Sequence, residues 1–231
     1  MSVIGPGESA NPARLERKPL GRQIADAIRG DILFGRLKPG EAVSQQQLCE
    51  RYGTSRMPVR DALRQLTYEG FMIDDGSRHS IVARFSREDL NDIYLIEGTL
   101  HALATRRVAE RGDPSELREL MDYHEAMLDA GGRGDATTMA ALNYSFHRRI
   151  NQLARSPKLI AVLRTHALSI PRDYIVQIPQ WAERANEQHA EIMQAVSAGR
   201  GATAERLMKT HVMEAGADLL GYLESHGVQF D

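Results

Sequence analysis

The chain has 231 residues, 42% of them hydrophobic and only 6% aromatic, with a net charge of −2 that indicates no particular partner. A single cysteine, Cys49, excludes an internal disulfide framework and fits a reducing compartment. Since neither a signal peptide nor a membrane span of roughly 18 uninterrupted apolar residues can be found, we expect a soluble cytoplasmic protein with an aliphatic, helical core.

The first predicted elements are a tail and two helices. Residues 1–17 lack any periodicity and are expected to form a flexible tail. Apolar residues then recur at helical spacing over 20–33, and Gly35 ends this helix. A short second helix is predicted between Ser44, an N-cap candidate, and Gly53, a terminator.

A third helix is predicted from near Ser55 to near Gly70. Pro58 falls within its first turn, where a missing N–H costs little. The segment "GFMIDDGSRHSIVARF" then has the pattern of two short strands joined at Asp75-Gly76. Helix, helix, turn, helix and hairpin within about 70 residues is typical of a winged helix-turn-helix domain.

The pattern changes at Ser86, which forms an acidic variant of a capping box with Asp89. Asp113-Pro114 and Ser156-Pro157 have the form of helix starts, and no convincing strand follows Arg84. Helical patterns are predicted at 87–111, 115–130, 135–153, 157–169, 180–198 and 202–225. The expected fold class is therefore mainly α: a winged helix-turn-helix domain of three helices and a β-hairpin, then an all-helical bundle.

The charge distribution supports a division into two domains. Residues 18–84 contain 11 Lys and Arg against 8 Asp and Glu, whereas residues 85–231 contain 16 against 21. A basic segment followed by an acidic one favours domains with different partners. We therefore expect domains at 18–84 and 85–231, after the tail of residues 1–17.

The third helix carries Arg56, Arg60 and Arg64 at four-residue intervals, so they share one face. Its opposite face carries apolar residues (Val59, Leu63 and Leu66). A helix packed along one side and cationic along the other fits the major groove of DNA, where guanidinium groups bind guanine or phosphate. The N-terminal end of such a helix reaches deepest. Ser55, Arg56 and Arg60 are thus the expected base readers, with Arg64 nearer the backbone.

A solvated charged face is the alternative interpretation, because Asp61 and Glu50 could neutralise these arginines. The preceding short helix and the following hairpin favour DNA binding instead. Arg78 and His79 at the hairpin tip would extend the basic surface as a wing over the minor groove. In the short helix, glutamines (Gln46 and Gln47) could donate hydrogen bonds to phosphate.

The segment "LKPGEAVSQQQLCERYGTSRMPVRDALRQLTYEGFM" resembles the N-terminal domain of GntR-family bacterial transcription factors. That family carries a proline-glycine turn, a short helix, a Ser-Arg-x-Pro-Val-Arg-x-Ala-Leu recognition helix, a Glu-Gly step and a wing. The resemblance implies DNA contacts from Ser55, Arg56 and Arg60, with Met57 and Gly76 beside them. Gln46 stands where many relatives have arginine or glutamate, which changes the contact expected from the preceding helix.

Three histidines occupy the apolar sides of three later helices: His147, His189 and His211. Asn143 lies one turn before His147. Neutral imidazoles are common ligands of zinc, nickel and related ions, and three nitrogens with an open position form a recurrent site. The alternative is buried histidines that only satisfy hydrogen bonds in the core. The remaining histidines (His101, His124, His166 and His226) show that the residue also occurs by chance.

The helical domain is similar to the FadR-type C-terminal domain, abbreviated FCD, of one GntR subfamily. Many members carry Asp-x3-His on one helix and single histidines on two later helices, which together bind a divalent metal. The resemblance implies a site of Asn143, His147, His189 and His211, with zinc expected first and nickel or manganese as alternatives. Because Asn143 replaces the usual aspartate, this site lacks a negative ligand, and its affinity should be lower.

The resemblance also places an effector pocket beside the metal. The family commonly has arginine at the position of Glu97 and glutamate at that of His101. This arginine typically holds an acidic ligand, so its loss argues against a simple carboxylate effector unless another cation, such as Arg172, substitutes. Glu97 and His101 are one turn apart and are expected to line the cavity.

These features together predict a DNA-binding transcriptional regulator, a repressor, that binds a palindromic operator as a homodimer and responds to a small metabolite. Two alternatives remain open at this point. A metal-dependent hydrolase would use the three histidines and Glu97 as a base, but no nucleophile or oxyanion motif accompanies them. An architectural DNA-binding protein would leave the second domain without a role.

Overall fold

The structure is a computed structural model that describes residues 19–74, 76, 79–166, 175–178 and 180–230. The N-terminal part contains, in order, α1 (Leu20–Leu33), β1 (Ala42–Ser44), α2 (Gln45–Tyr52), α3 (Arg56–Tyr68), β2 (Met72–Asp74) and β3 (His79–Val82). Helix α1 packs against α3, and both outer strands pair antiparallel with β3 in the order β1-β3-β2. Strand β1 was not predicted, because three residues are too few to show an alternating pattern.

Local sequence signals define the ends of these helices. Ser44 and Gln47 form a reciprocal capping box at the start of α2. Gly53 ends α2 in the left-handed conformation (φ 57°), which glycine adopts without the strain of a side chain. Helix α3 therefore starts at Arg56 in a fixed direction, with Val59 and Leu66 in a compact apolar core.

The C-terminal part contains α4 (Arg87–Arg111), α5 (Pro114–Gly132), α6 (Ala136–Leu153), α7 (Pro157–His166), α8 (Trp181–Ser197) and α9 (Gly201–Ser225). The predicted helix starts at Ser86 and Asp113 are present as N-caps, each with a side chain that accepts backbone hydrogen bonds. The helices surround a second apolar core that extends from Leu90 to Leu223. The expected fold class is confirmed, while the tail of residues 1–17 and the predicted helix end at 167–169 lie outside the described residues.

The two longest helices, α4 and α9, pack antiparallel at close range. A Cβ atom added to Gly216 would lie 2.3 Å from Cγ of Tyr94, and one added to Gly98 would lie 3.3 Å from the carbonyl oxygen of Lys209. The absence of side chains at these glycines therefore allows the two helices to approach. None of the helices in the described part of the chain is long and apolar enough to cross a membrane.

Aromatic contacts join the two cores. Phe34, directly after α1, meets the ring of Tyr222 on α9 edge-on at 6.4 Å. Phe85 stacks on Phe71 at 5.4 Å and packs against both cores. The Tyr222 hydroxyl donates a hydrogen bond to Oε1 of Gln177 at 2.9 Å. Packing thus connects the end of α1 to α9 and to the segment before α8.

Candidate DNA-binding surface and metal centre

The basic face of α3 is directed toward solvent. Arg56, Arg60 and Arg64 are all exposed, whereas Val59 and Leu66 on the opposite side have no measurable exposure. The helix is also held at its far end, because the buried guanidinium of α1 (Arg29) pairs with Glu69 at 2.5 Å and with Asp26 at 2.8 Å. The cationic side of α3 is therefore presented on a rigid support.

The neighbouring predicted contacts lie around the N-terminus of α3. Ser55 is the N-cap residue, and its side chain makes no capping hydrogen bond. Met57 is 65% exposed. Gly76 has a φ of 75° at the hairpin turn, and its N–H donates to Asp74 at 3.0 Å. Arg78 lies outside the described residues, and its predicted contribution to the wing stays a prediction.

The two glutamines of α2 differ in their surroundings. Gln46 is exposed and donates to Glu50 at 3.1 Å. The Oε1 atom of Gln47 accepts from the N–H and the hydroxyl of Ser44 at 3.0 and 2.9 Å. The side chain of Gln47 thus stabilises the start of α2, and Gln46 is the glutamine of this pair that faces solvent without a capping role.

Helices α6, α8 and α9 bring His147, His189 and His211 to one point. The three Nε2 atoms are separated by 3.4 Å (147 to 189), 3.2 Å (189 to 211) and 3.2 Å (147 to 211). Four-coordinate zinc with Zn–N bonds of about 2.0–2.1 Å requires nitrogens about 3.3 Å apart. These histidines also form the one group of three or more potential metal-binding side chains found among the described residues. Their spacing fits a divalent ion.

Burial keeps these imidazoles neutral. It lowers the pKa of His211 to about 4, with a smaller contribution from His101. Burial, followed by the neighbouring histidines, lowers the pKa of His147 and of His189 well below the ordinary value. Three nitrogen lone pairs that face one point repel one another unless a cation lies between them. Since protons are disfavoured here, a metal ion is the cation that suits the site.

Asn143 lies one turn before His147 on α6, and its Oδ1 atom is buried without a hydrogen-bond partner in the described part of the chain. Nδ1 of His147 and Nδ1 of His189 are in the same situation. A buried polar atom without a partner is costly, so each needs an additional group. For Asn143, a metal ion near the triad would supply one.

Two further histidines stand beside the triad. The ring of His101 on α4 meets that of His147 edge-on at 5.3 Å, and burial lowers its pKa to about 4. His124 on α5 is buried 6.5 Å from the ring of His189. His124 is not among the residues predicted for the site, although its position four residues after Leu120 on a helical apolar stripe indicates an inward direction. Among the side chains that the structure describes, these two rings and the triad form a cluster of five imidazoles.

Of the three predicted effector residues, two lie in the described part of the chain. His101 borders the triad, as described above. Glu97, one turn earlier on α4, is half-buried, and its charge contributes to the raised pKa of the neighbouring Tyr94, after the larger effect of burial. Arg172 lies outside the described residues. Gln188 is a further neighbour of the triad that the sequence does not predict: its Oε1 lies 2.7 Å from Nδ1 of His211.

Comparison with known proteins agrees with both parts of the molecule. Residues 20–74 match the model for bacterial regulatory proteins of the gntR family, and residues 92–214 match the FCD domain. The chain is 30% identical over 209 residues, 88% of this chain and 90% of the relative, to a "Probable D-xylose utilization operon transcriptional repressor" of Paenarthrobacter nicotinovorans. It is 26% identical to the "Glc operon transcriptional activator" of Escherichia coli K12, covering 85% of this chain and 87% of the relative.

Among solved structures, E. coli McbR/YncC has the same fold, with a TM-score of 0.65 and 21% identity over 89% of this chain and 99% of that one. Both curated relatives are named as transcriptional regulators, and residues 20–74 match a family of bacterial regulatory proteins, so the comparisons favour the regulator over the metal-dependent hydrolase alternative. The chain therefore belongs to the GntR family of bacterial transcriptional regulators, within the FadR-type group that carries an FCD domain.

Proposed function

We propose that the protein is a transcriptional repressor that binds a palindromic operator as a homodimer. Its DNA affinity would be controlled by a small metabolite bound next to a divalent metal in the helical domain. The convergence of three neutral imidazoles within 3.4 Å of one another carries the metal part of the proposal. The exposed basic face of α3 carries the DNA part. Repression is proposed by analogy with the D-xylose operon relative.

In the proposed DNA complex, the N-terminus of α3 enters the major groove. Arg56 and Arg60 read bases, while Ser55 and Met57 contact the adjacent edge or backbone. Gly76 and Arg78 belong to the wing, which lies over the minor groove. From α2, the exposed amide at Gln46 contacts phosphate. On this proposal residues 18–84 are the DNA-binding domain, and a regulator that binds bacterial DNA acts in the cytoplasm.

Dimerisation would use the outer surface of α4 and α9. Leu95, Ile96 and Met213 are large apolar side chains that are between 40% and 50% exposed, and a contiguous apolar patch of this kind is typical of an interaction surface. Met213 lies beside Gly98, one turn after Leu95, so these two side chains border one patch. A second copy of residues 85–231 would cover it and hold two heads over the half-sites of a symmetric operator.

The proposed metal ligands are His147, His189 and His211, with Oδ1 of Asn143 as a fourth. Zinc is the preferred ion, since the spacing of the nitrogens suits tetrahedral coordination; nickel and manganese are the alternatives. A site of neutral ligands leaves the positive charge of the ion uncompensated, so a fifth coordination position, or the place of Asn143, would attract an electron-rich group of the effector. Glu97, His101 and Arg172 are the side chains proposed to surround that effector.

The DNA part is tested with Arg56→Ala and Arg60→Ala in the full-length protein. We expect each substitution to weaken binding to an operator, selected from random duplexes, by about 1–3 kcal/mol and to relax preference at one base pair. The control is Arg118→Ala on α5, which removes the same charge far from α3. Wild-type affinity in both α3 variants would contradict the assignment.

The metal part is tested by metal analysis of purified protein and by thermal unfolding with and without added zinc. We expect about one zinc per chain and a rise in melting temperature that His147→Ala abolishes, because binding to the folded state alone stabilises it. Substitution of the exposed His226 with alanine serves as the control. A zinc-independent melting temperature in the wild type would exclude the proposed site.

A further inference from the structure

A chain of two hydrogen bonds connects the histidine cluster to the protein surface. Nδ1 of His211 lies 2.7 Å from Oε1 of Gln188. The same amide donates from Nε2 to a carboxylate oxygen of Glu214 at 2.5 Å. His211 is buried, Gln188 is half-buried, and Glu214 is exposed. Helices α8 and α9 therefore share a continuous polar path from the triad to solvent.

The direction of each hydrogen bond follows from the outer end of this path. An ionised carboxylate only accepts, so the amide must turn its NH2 group toward Glu214. Its carbonyl oxygen then faces His211 and can only accept a hydrogen bond, which the N–H group at Nδ1 donates. A neutral imidazole with its proton on Nδ1 has its lone pair on Nε2, which is the atom that faces the other two histidines.

His211 differs from the other two histidines in this respect. Nδ1 of His147 and Nδ1 of His189 are buried and have no hydrogen-bond partner among the residues the structure describes. Among the described residues, His211 is therefore the one ring of the three whose Nδ1 atom has a hydrogen-bond partner, and this partner sets its tautomer. The negative charge of Glu214 is also separated from the proposed metal centre by the Gln188 amide alone, and the proposed ligands of that centre are all neutral.

We propose that Gln188 and Glu214 form a positioning relay that fixes the tautomer and orientation of His211 for metal binding. This inference rests on the proposed metal site. Outer contacts of this kind orient a ligating ring and increase its basicity, and their loss commonly reduces metal affinity 10- to 100-fold. In this chain, the carboxylate of the relay partly compensates for the absence of a negatively charged ligand at Asn143.

The relay is tested by measuring zinc affinity in the full-length protein by competition with a chromophoric chelator. Gln188→Leu removes the acceptor for His211, and we expect affinity to fall about tenfold or more. We expect a smaller loss of zinc affinity for Glu214→Gln. An amide at position 214 can both donate and accept, so it no longer fixes the orientation of the Gln188 side chain. Gln188→Glu combined with Glu214→Gln keeps an acceptor for the imidazole N–H and an amide donor opposite it, and this pair should bind zinc at least as tightly as the wild type. A role limited to packing would not distinguish Leu from Glu in this way.

Two exposed positions on α8 supply matched controls. Gln194→Leu repeats the chemical change of Gln188→Leu, and Glu191→Gln removes the same charge as Glu214→Gln; both residues are exposed. Zinc affinity should be unchanged in both. Equal losses at positions 188 and 194, or wild-type affinity in Gln188→Leu, would overturn the relay.

Nitrogen-15 NMR of histidine-labelled, metal-free protein provides a second measurement. We expect His211 to show the Nδ1-protonated tautomer in the wild type and in the double variant Gln188→Glu with Glu214→Gln, and a mixture of tautomers in Gln188→Leu. If the wild type bound no zinc, the proposed metal site would fail, yet these spectra would still decide on the relay. A mixture of tautomers in the wild type would refute it directly.

Discussion

At the scale of single residues, the central feature is the number of imidazole side chains that are buried. Burial lowers the pKa of His101 and of His211 to about 4, and burial together with the neighbouring histidines lowers the pKa of His147 and of His189 well below the ordinary value. A histidine that stays neutral in the fold but takes up a proton when unfolded makes stability depend on pH. The cluster therefore gives the metal-free protein a characteristic sensitivity to acid.

We predict that metal-stripped protein loses at least about 4 kcal/mol of unfolding free energy between pH 7 and pH 5. Because the folded-state pKa lies below the unfolded value of about 6.5, the unfolded chain binds protons first. Stability is thus greatest above that value and falls as the pH approaches 4. His101 and His211 contribute about 2 kcal/mol each over this interval. Urea denaturation at a series of pH values measures the fall.

His101→Gln supplies the control for this prediction. It removes one buried imidazole and should reduce the loss between pH 7 and pH 5 by about 2 kcal/mol. An unfolding free energy that is constant over this range in the wild type would show that the imidazoles are protonated equally in the folded and unfolded chains.

At the scale of elements, the close packing of α4 against α9 sets the position of His211 relative to His101. The approach is closest at Gly216, where an added Cβ would lie 2.3 Å from the Tyr94 ring. Tyr94 is buried, so its ring has little space into which it can move. The geometry of the histidine cluster therefore depends on a glycine more than one helical turn away from it.

We predict that Gly216→Ala destabilises the protein by about 1–3 kcal/mol, because overpacking forces the helices or the ring to shift. Gly221→Ala on the same helix is the matched control. An added Cβ there meets nothing within 4 Å, and replacing a glycine inside a helix should stabilise by about 0.5–1 kcal/mol. Chemical denaturation compares the two variants. Equal stabilisation by both would rule out the close approach.

The elements themselves could be predicted well from the sequence, because their signals are local. Ser86 with Asp89, and Asp113 before a proline, mark helix starts wherever the helices later pack. Strand β1 could not be predicted, since it exists only through pairing with β3. His124 and Gln188 were missed for a related reason: their roles depend on neighbours from other helices, which a helical period does not identify.

At the scale of the whole molecule, a small number of the described contacts connect the two apolar cores. The ring of Phe34 contacts that of Tyr222. The Tyr222 hydroxyl donates a hydrogen bond to Gln177, which closely follows residues 167–174 in the chain; those residues lie outside the described ranges. Within the C-terminal part, Arg87 of α4 pairs with Glu224 at the same end of α9. Since α9 also carries His211, this helix connects the proposed metal centre to the end of α1.

We predict that zinc binding slows hydrogen exchange in α9 and in residues 30–37 of the wild type. In Tyr222→Ala, protection should persist around His211 but be lost in residues 30–37, because the aromatic contact with Phe34 is gone. Tyr68→Ala, which removes an exposed ring from α3, is the control. Exchange mass spectrometry resolves these peptides. Unchanged protection of residues 30–37 in Tyr222→Ala would contradict this route.

The separation of the three histidines along the chain has a further consequence. The imidazoles that meet at one point are 22, 42 and 64 residues apart, so a single ion would tie three helices together as a cross-link does. Cells short of that ion would hold a looser form, which proteases cut more readily. We therefore expect the cellular half-life of this regulator to follow metal supply, even where its synthesis is constant.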